Sequence, residues 1–390
     1  MMANQVAQLL GRRLRLGLIG GGPGSFIGEI HRSAARLDGC YEIVTGVLSS
    51  DPDRAREAGK DLGFAADRCY SSVREMLDAE SSRTDGIDVV AIMTPNDTHY
   101  KYAVLSLEHG MDVICDKPLT RTLQEAEALV DKASEAGLIV CLTHNYSGYS
   151  MVRQARAMIA AGQLGTIRLV QVEYVQGGRA REALPDSGRP TQWRYDPERA
   201  GESLVLGDIG THAHHLIRFV SGQEVVAVCA DVGSAVPERS FHDCAGVLLR
   251  FQNGARGMLW ATQAAAGVEN YLRFRISGTL GTLEWELENP AKLLFKPLDG
   301  IVEHRTPNGP GTLPLAARTC RIVAGHPGGF AEAFASIYRD AAEAIAARRA
   351  GAPIDPLACH FPTAQDGLEG LRFIRGVMAS SDTNGQWITL

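Results

Sequence analysis

LRLGLIGGGPGSFIGEIHRSAARL, residues 14–37, carries the reading that decides the fold. Its first seven residues are an apolar run that ends in glycines. The rest passes into a helical pattern with Ile30, Ala34 and Leu37 on one face. A strand, a glycine loop and a helix in that order suit a dinucleotide, because the pyrophosphate must come close to the backbone and rest on the following helix N-terminus. The spacing is irregular. Gly20 and Gly22 supply the first two positions of GxGxxG, and the third is either absent, with Ser25 in its place, or displaced to Gly28 by an insertion around Pro23–Ser25.

The flanking sequence extends the pattern. EIVTGVLSS (42–50) reads as a second strand and DPDRAREAGKDLG (51–63) as the helix after it. The end of this strand is where a Rossmann domain reads the adenosine ribose, and here it holds Ser49 and Ser50. An acid there would bond the ribose diol and repel a 2′-phosphate. Serines do neither, while Arg54 could pair with a phosphate or simply be an exposed helix arginine, so the cofactor is NAD or NADP.

Helix 71–80, strand GIDVVAIMTP (86–95), helix NDTHYKYAVLSLEHG (96–110), strand MDVIC (111–115), helix LQEAEALVDKASEAG (123–137) and strand LIVCLTHN (138–145) then alternate. That alternation predicts a doubly wound parallel sheet. Two strands end in polar groups beside proline, Thr94-Pro95-Asn96 and Asp116-Lys117-Pro118, and both would project at the carboxyl edge where such sheets bind ligands. Proline biases the preceding residue toward extended backbone, which would hold Lys117 at a strand exit. Asn96 and His99 are candidate cofactor contacts, or else a helix cap and a surface histidine.

After Asn145 the character changes. Helix SMVRQARAMIAAGQLG (150–165) is followed by the long strands IRLVQVEYVQ, EVVAVCADVGSA, CAGVLLRFQNGARGMLWATQ, YLRFRISGTLGTLEWEL and KLLFKPL, which predict a large, mostly antiparallel open sheet. Gln252-Asn253-Gly254 is a hairpin signal, and helical patterns at 338–351 and 365–381 close the chain. The expected organisation is a short extension (1–13), a dinucleotide-binding domain (14–145) and an α+β domain (146–390) for substrate binding and oligomerisation. Within QWRYDPERAGESLVLGDIGTHAHHLIRFVSG (192–222), an α-helix would put Asp208, His212 and His215 on one face, where a carboxylate could orient an imidazole. A metal site is the rival, but His214 would point away from His212 and no second acid or cysteine cluster has ligand spacing, so no metal is expected.

With 390 residues, 45% of them hydrophobic and 22% charged, the chain is an ordinary globular protein large enough for two domains. A formal charge of -6 argues against nucleic acid or an anionic membrane as partner. The eight cysteines form no CxxC pair and mostly sit in apolar runs, which predicts buried thiols in a reducing compartment. Neither a signal-peptide core nor an 18-residue apolar run occurs, so a cytoplasmic location is expected.

These motifs together resemble the Gfo/Idh/MocA family, the glucose-fructose oxidoreductase and inositol dehydrogenase group. The resemblance rests on LGLIGGGPGSFIGEIH, IMTPNDTHYKYAVLSLEHGMDVICDKPLTRTLQEAEALV, IAAGQLGTI, WRYDPERAGESLVLGDIGTHAHHL and LRFQNGARG, and it spans nearly the whole chain. It implies a Rossmann domain for NAD or NADP, an α/β domain whose open sheet forms a homodimer or homotetramer, and a sugar, polyol or related hydroxyl compound as substrate. Asp116-Lys117-Pro118 stands where the family usually has Glu-Lys-Pro, and Glu202-Ser203 interrupts what is often a glycine run.

Oxidising a secondary alcohol needs a hydride acceptor and a base for the hydroxyl proton. His212, oriented by Asp208, is the expected proton acceptor and Lys117 the donor to the reacting oxygen. The ordinary pKa values, about 6.5 for histidine and about 10.4 for lysine, favour that assignment near neutrality, while desolvation of Lys117 would allow the reverse. His144, Asn145, Tyr146, Tyr149, Trp193 and Arg194 are candidate substrate or nicotinamide contacts, or packing and caps. Two other readings suit the same fold: a glycosidase that oxidises and re-reduces its sugar with a tightly held NAD, and a non-catalytic NAD(P)-binding regulator.

Overall fold

The computed structural model describes residues 4–181, 192–237, 239 and 241–390. The first part of the chain runs α1 (Gln5–Leu10), β1 (Leu14–Gly20), α2 (Phe26–Leu37), β2 (Tyr41–Val47), α3 (Pro52–Asp61), α4 (Val73–Ser81), β3 (Val89–Met93), α5 (His99–Glu108), β4 (Asp112–Cys115), α6 (Leu123–Ala136) and β5 (Val140–Leu142). Then come α7 (Ser150–Ala160), β6 (Ile167–Val175), α8 (Pro197–Ala200), α9 (Thr211–Ser221), β7 (Val225–Gly233), β8 (Cys244–Phe251) and β9 (Arg256–Thr262). The remainder is β10 (Tyr271–Gly278), β11 (Gly281–Glu286), β12 (Leu293–Pro297), β13 (Glu303–Arg305), α10 (Pro314–Ala317), α11 (Phe330–Ala350), α12 (Ala364–Asp382) and β14 (Ile388–Thr389). No helix among the described residues is long and apolar enough to cross a membrane.

The chain divides into two compact units, residues up to 148 with 330–368, and residues 149–329 with 369–390. In the first, five parallel strands take the order β2-β1-β3-β4-β5. Covered on both faces, the central strands are apolar without alternation, and all five residues of β3 are buried. The order reverses beside β1, which makes the carboxyl ends of β1 and β3 the ligand edge.

α2 buries Gly28, His31, Arg32, Ala34 and Ala35, with Ile30 partly buried against the core, so of the expected Ile30/Ala34/Leu37 face only Leu37 is exposed, and the packed side turns toward a partner the local pattern does not show. That partner is α11. The His31 ring lies 4.8 Å from Phe334 and its Nδ1 is 2.7 Å from the Tyr338 hydroxyl. The far end of α11 is held by charge at the amino edge of the sheet. Arg348 reaches Asp112 at 2.6 Å and Arg349 reaches Asp88 at 2.7 Å, while Arg12 also pairs with Asp88 at 2.6 Å. Burial pushes the Asp88 carboxyl up, but Arg12, the Arg15 amide and Arg349 together bring it below its ordinary value. At Asp112 burial wins and the pKa is raised against the pull of the Ile139 amide and Arg348.

The second unit is built on a nine-stranded sheet, β13-β12-β11-β10-β6-β9-β8-β7-β14, antiparallel throughout except where β6 runs parallel to β9. The hairpin expected at 252–254 joins β8 to β9, with Gly254 at φ +85°. Burial alternates along β8, β10 and β11, as it must when one face packs and the other meets water. α7 and α9 cover the packed face. The other exposes Leu169, Leu248, Met258 and Trp260. All eight cysteines are free thiols, but only Cys40, Cys115 and Cys141 are buried, so the expectation of mostly buried thiols is corrected. Several of the apolar runs that hold the others lie at strand ends or on half-covered sheet positions.

Candidate active site

In the first unit the loop after β1 is shaped by what it cannot hold. Gly20 and Gly21 adopt φ of +80° and +67°. A Cβ on Gly22 would stand 2.5 Å from the Leu48 carbonyl oxygen, and one on Gly28 would stand 2.1 Å from that of Gly21. Gly28 is therefore the closely packed third glycine. The insertion is taken up in a turn where the Ser25 amide donates to Gly22 O at 3.0 Å and Ser25 Oγ accepts from the Gly28 amide at 3.2 Å, capping α2. Buried Arg32 donates to the Gly21 carbonyl. A side-chain-free backbone leading onto a capped twelve-residue helix fits a dinucleotide pyrophosphate.

Beside it, Ser49 and Ser50 follow β2 immediately after Leu48, whose carbonyl packs on Gly22. Ser49 Oγ accepts from the Asp51 amide at 3.2 Å, and Asp51 Oδ1 accepts from the Arg54 amide at 2.9 Å. The Asp51 carboxylate is thus committed to capping α3, Asp53 lies in the first turn of that helix, and Arg54 is exposed.

The exits of β3 and β4 stand side by side. Thr94 packs its methyl against Gly20, 2.8 Å from the position a Cβ would take there, and its hydroxyl accepts from Thr98 Oγ1 at 2.8 Å. Pro95 precedes a single turn, Asn96–Thr98. The Asp116 amide donates to Ile92 O at 2.9 Å, and Asp116 Oδ1 accepts from Thr143 Oγ1 at 2.8 Å. Half-buried Lys117 follows, joined to Pro118 by a cis peptide. His99 is not at the surface. It is 0% exposed, with Nδ1 2.8 Å from the Pro118 carbonyl and Nε2 2.9 Å from the Thr94 carbonyl. Beyond β5, His144, Asn145 and Tyr146 are all buried, and Tyr146 stacks edge-on to Phe330. Asn145 Nδ2 has no protein acceptor among the described residues, which leaves a donor for a bound molecule to satisfy.

In the second unit the 208–215 stretch departs from a continuous α-helix. Leu206–Gly210 forms a π-turn that runs into α9, so the backbone from Asp208 to His212 is not the continuous α-helix expected. Its Oδ2 accepts from Gln263 Nε2 at 2.8 Å and from Arg179 at 3.3 Å. Burial lowers the pKa of Arg179 from its ordinary value against the pull of Asp208. His212 is 7% exposed, edge-on to the Tyr174 ring at 6.3 Å. His214 stacks on Phe373 at 4.2 Å, and burial holds it neutral, its pKa well below the ordinary value. His215 stacks on Phe219 at 5.9 Å, and both histidines have packing roles. Among the described residues no group of three or more His, Cys, Asp or Glu could hold a metal ion.

Tyr149 precedes α7 and packs 5.6 Å from Trp285. Trp193 and Arg194 share one turn, with the guanidinium 5.5 Å from the indole. Sequence reasoning missed Arg179, Gln263, Tyr174 and Thr143. Each comes to its site across a sheet or from a distant loop, and no local spacing marks it.

Two family models match the chain. One, described as an oxidoreductase family with an NAD-binding Rossmann fold, covers residues 14–144, and the other, the GFO/IDH/MocA C-terminal domain, covers residues 152–284. The chain is 33% identical to the uncharacterized oxidoreductase YfiI of Bacillus subtilis, over 98% of each protein. It is 30% identical to levoglucosan dehydrogenase of Pseudarthrobacter phenanthrenivorans, over 72% of this chain and 76% of that protein. Among solved structures, an inositol dehydrogenase homologue from Azotobacter vinelandii complexed with NADH and myo-inositol superposes with a TM-score of 0.89 at 34% identity, covering 98% of this chain and 99% of that one.

Proposed function

The chain belongs to the Gfo/Idh/MocA family of NAD-binding oxidoreductases, and from that premise we propose that it moves a hydride between NAD or NADP and a secondary hydroxyl or ketone of a sugar, polyol or sugar derivative. The observation that carries this reading is the row of exits from β1, β3 and β4. A glycine cradle closed to side chains, Thr94 packed on it and Lys117 at the next strand end all share one sheet edge. Relatives named for levoglucosan and inositol supply the substrate class.

The bound nicotinamide supplies the hydride acceptor or donor. Gly20, Gly22 and Gly28 admit the pyrophosphate, Ser49, Ser50 and Arg54 face the adenosine ribose, and Thr94, Pro95, Asn96 and Asp116 frame the cofactor from the neighbouring exits. Lys117 donates to the reacting oxygen and stabilises developing alkoxide charge. His212 exchanges the hydroxyl proton, with Asp208 setting its orientation and local charge. His144, Asn145, Tyr146, Tyr149, Trp193 and Arg194 shape substrate recognition. Since no acid stands at the ribose position, both cofactors are accommodated.

A panel of polyols, aldoses and glycosides, assayed by nicotinamide absorbance with each cofactor, tests the reading. Turnover of at least one polyol or sugar is expected. Cofactor binding with no turnover across the panel would overturn it, and glycoside cleavage without net reduction would replace it by the hydrolase.

The partner we propose is a second copy of the chain, giving a homodimer or homotetramer through the open face of the nine-stranded sheet. Support comes from Leu169, Leu248, Met258 and Trp260, which stand outward on adjacent strands. Light scattering should show an assembly that Trp260→Glu dissociates, and a monomeric wild-type protein would refute it. Eight free thiols support a cytoplasmic setting, and the relatives named for levoglucosan and inositol support a role in carbohydrate metabolism there.

A further inference from the structure

Lys117 lies between two anchored neighbours. On one side the Asp116 amide closes the β3–β4 ladder on Ile92 O, and the Asp116 carboxylate takes a bond from Thr143. On the other, the Pro118 carbonyl is held 2.8 Å from His99 Nδ1. The same ring places Nε2 2.9 Å from the Thr94 carbonyl. The β3–β4 register ends with Ile92 opposite Cys115. From there the two exits are spanned by an imidazole that is the first residue of α5 and is completely buried.

We propose that His99 is a positioning residue for Lys117: it joins the carbonyl of Pro118 to that of Thr94, and so sets where the lysine leaves the sheet relative to the Thr94-Pro95-Asn96 exit. The inference rests on the assignment of Lys117 given above. A lysine has a flexible four-carbon stem, so its ammonium can be placed reproducibly only if its backbone is held on both sides. A displacement of about 1 Å at a reacting group costs on the order of 100-fold in rate. His99 touches neither substrate nor reacting atoms in this role. It acts through the peptide that follows Lys117.

Two measurements on the full chain test this. The first is the proton–carbon signal of reductively methylated Lys117, assigned by its loss in Lys117→Ala. His99→Phe keeps a ring but removes both ring nitrogens and should move that signal alone. His99→Gln keeps amide donors, should move it less, and serves if the phenylalanine variant does not fold. An unmoved Lys117 signal, or all lysine signals moving together, overturns the inference.

The second is a double-mutant cycle with the substrate found by the panel. His99→Phe should lower kcat on the order of 10- to 100-fold, with a smaller change in KM, and should cost nothing further in the Lys117→Ala background. Additive losses would overturn the role of His99 and leave Lys117 standing. Normal turnover in Lys117→Ala would remove both.

Discussion

At the scale of single residues, the chemistry depends on a few charged or titratable groups whose surroundings decide what they can do. Lys117 is half-buried at a strand exit between two tied neighbours, which suits a group that must present a charge without being buried by it. Lys117→Ala should lower kcat by about 100- to 1,000-fold, the range found for losing one donor to an oxyanion, with cofactor affinity measured by fluorescence titration changing little. His31 is the opposite case. Burial pulls its pKa down from 6.5 to about 4, because the ring is enclosed by α11 and bonded to Tyr338. Below about pH 6.5 the unfolded chain takes up a proton that the native chain refuses until about pH 4, so stability falls as pH falls across that window and levels off beneath it. By about pH 5 the loss from this one group is roughly 2 kcal/mol. Urea unfolding at neutral and mildly acid pH should therefore give a steeper decline for the wild type than for His31→Phe.

Elements show how far local pattern reaches. Strand, glycine loop and helix were legible at 14–37 because the apolar run, the glycines and the cap each act within a few residues. The choice between Ser25 and Gly28 was not, since it turns on the distance from a Cβ to the Gly21 carbonyl, a contact made only once the loop is folded. Gly28→Ala must push that carbonyl aside. We expect cofactor affinity to fall about 100-fold or more while the unfolding temperature shifts by only a few degrees. The π-turn at 206–210 was likewise invisible, because an i, i+4 spacing of Asp208 and His212 reads as α-helix whatever the backbone does. His99 shows the same limit at a motif. Its place after Thr94-Pro95-Asn96 could be read, but the two carbonyls that it bridges lie on different strands.

For the molecule as a whole, alternation of strand and helix announced the parallel sheet, and its loss after Asn145 announced the antiparallel one. Both follow from burial patterns that sequence carries directly. What sequence does not carry is which unit a late helix joins. α11 is buried at nearly every position from Ala333 to Ala347, so its pattern singles out no partner, and only His31 and Tyr41 at one end and Asp88 and Asp112 at the other return it to the first unit.

That return has a consequence for biosynthesis. A ribosome delivers residues 1–148 first, yet the helix that covers α2 and pairs with Asp88 and Asp112 emerges only after eight of the nine strands of the second unit's sheet have been made. The nascent first unit waits with a face of α2 uncovered and Asp112 without Arg348, so we expect it to be the chaperone-dependent part of the chain even though it leads. A fragment ending at residue 148 should be poorly soluble and bind NAD weakly, whereas the same fragment joined by a short linker to residues 330–368 should fold cooperatively, as circular dichroism melting would show. The first unit is thus the first to begin translation, yet it cannot take its final form until most of the second has been made.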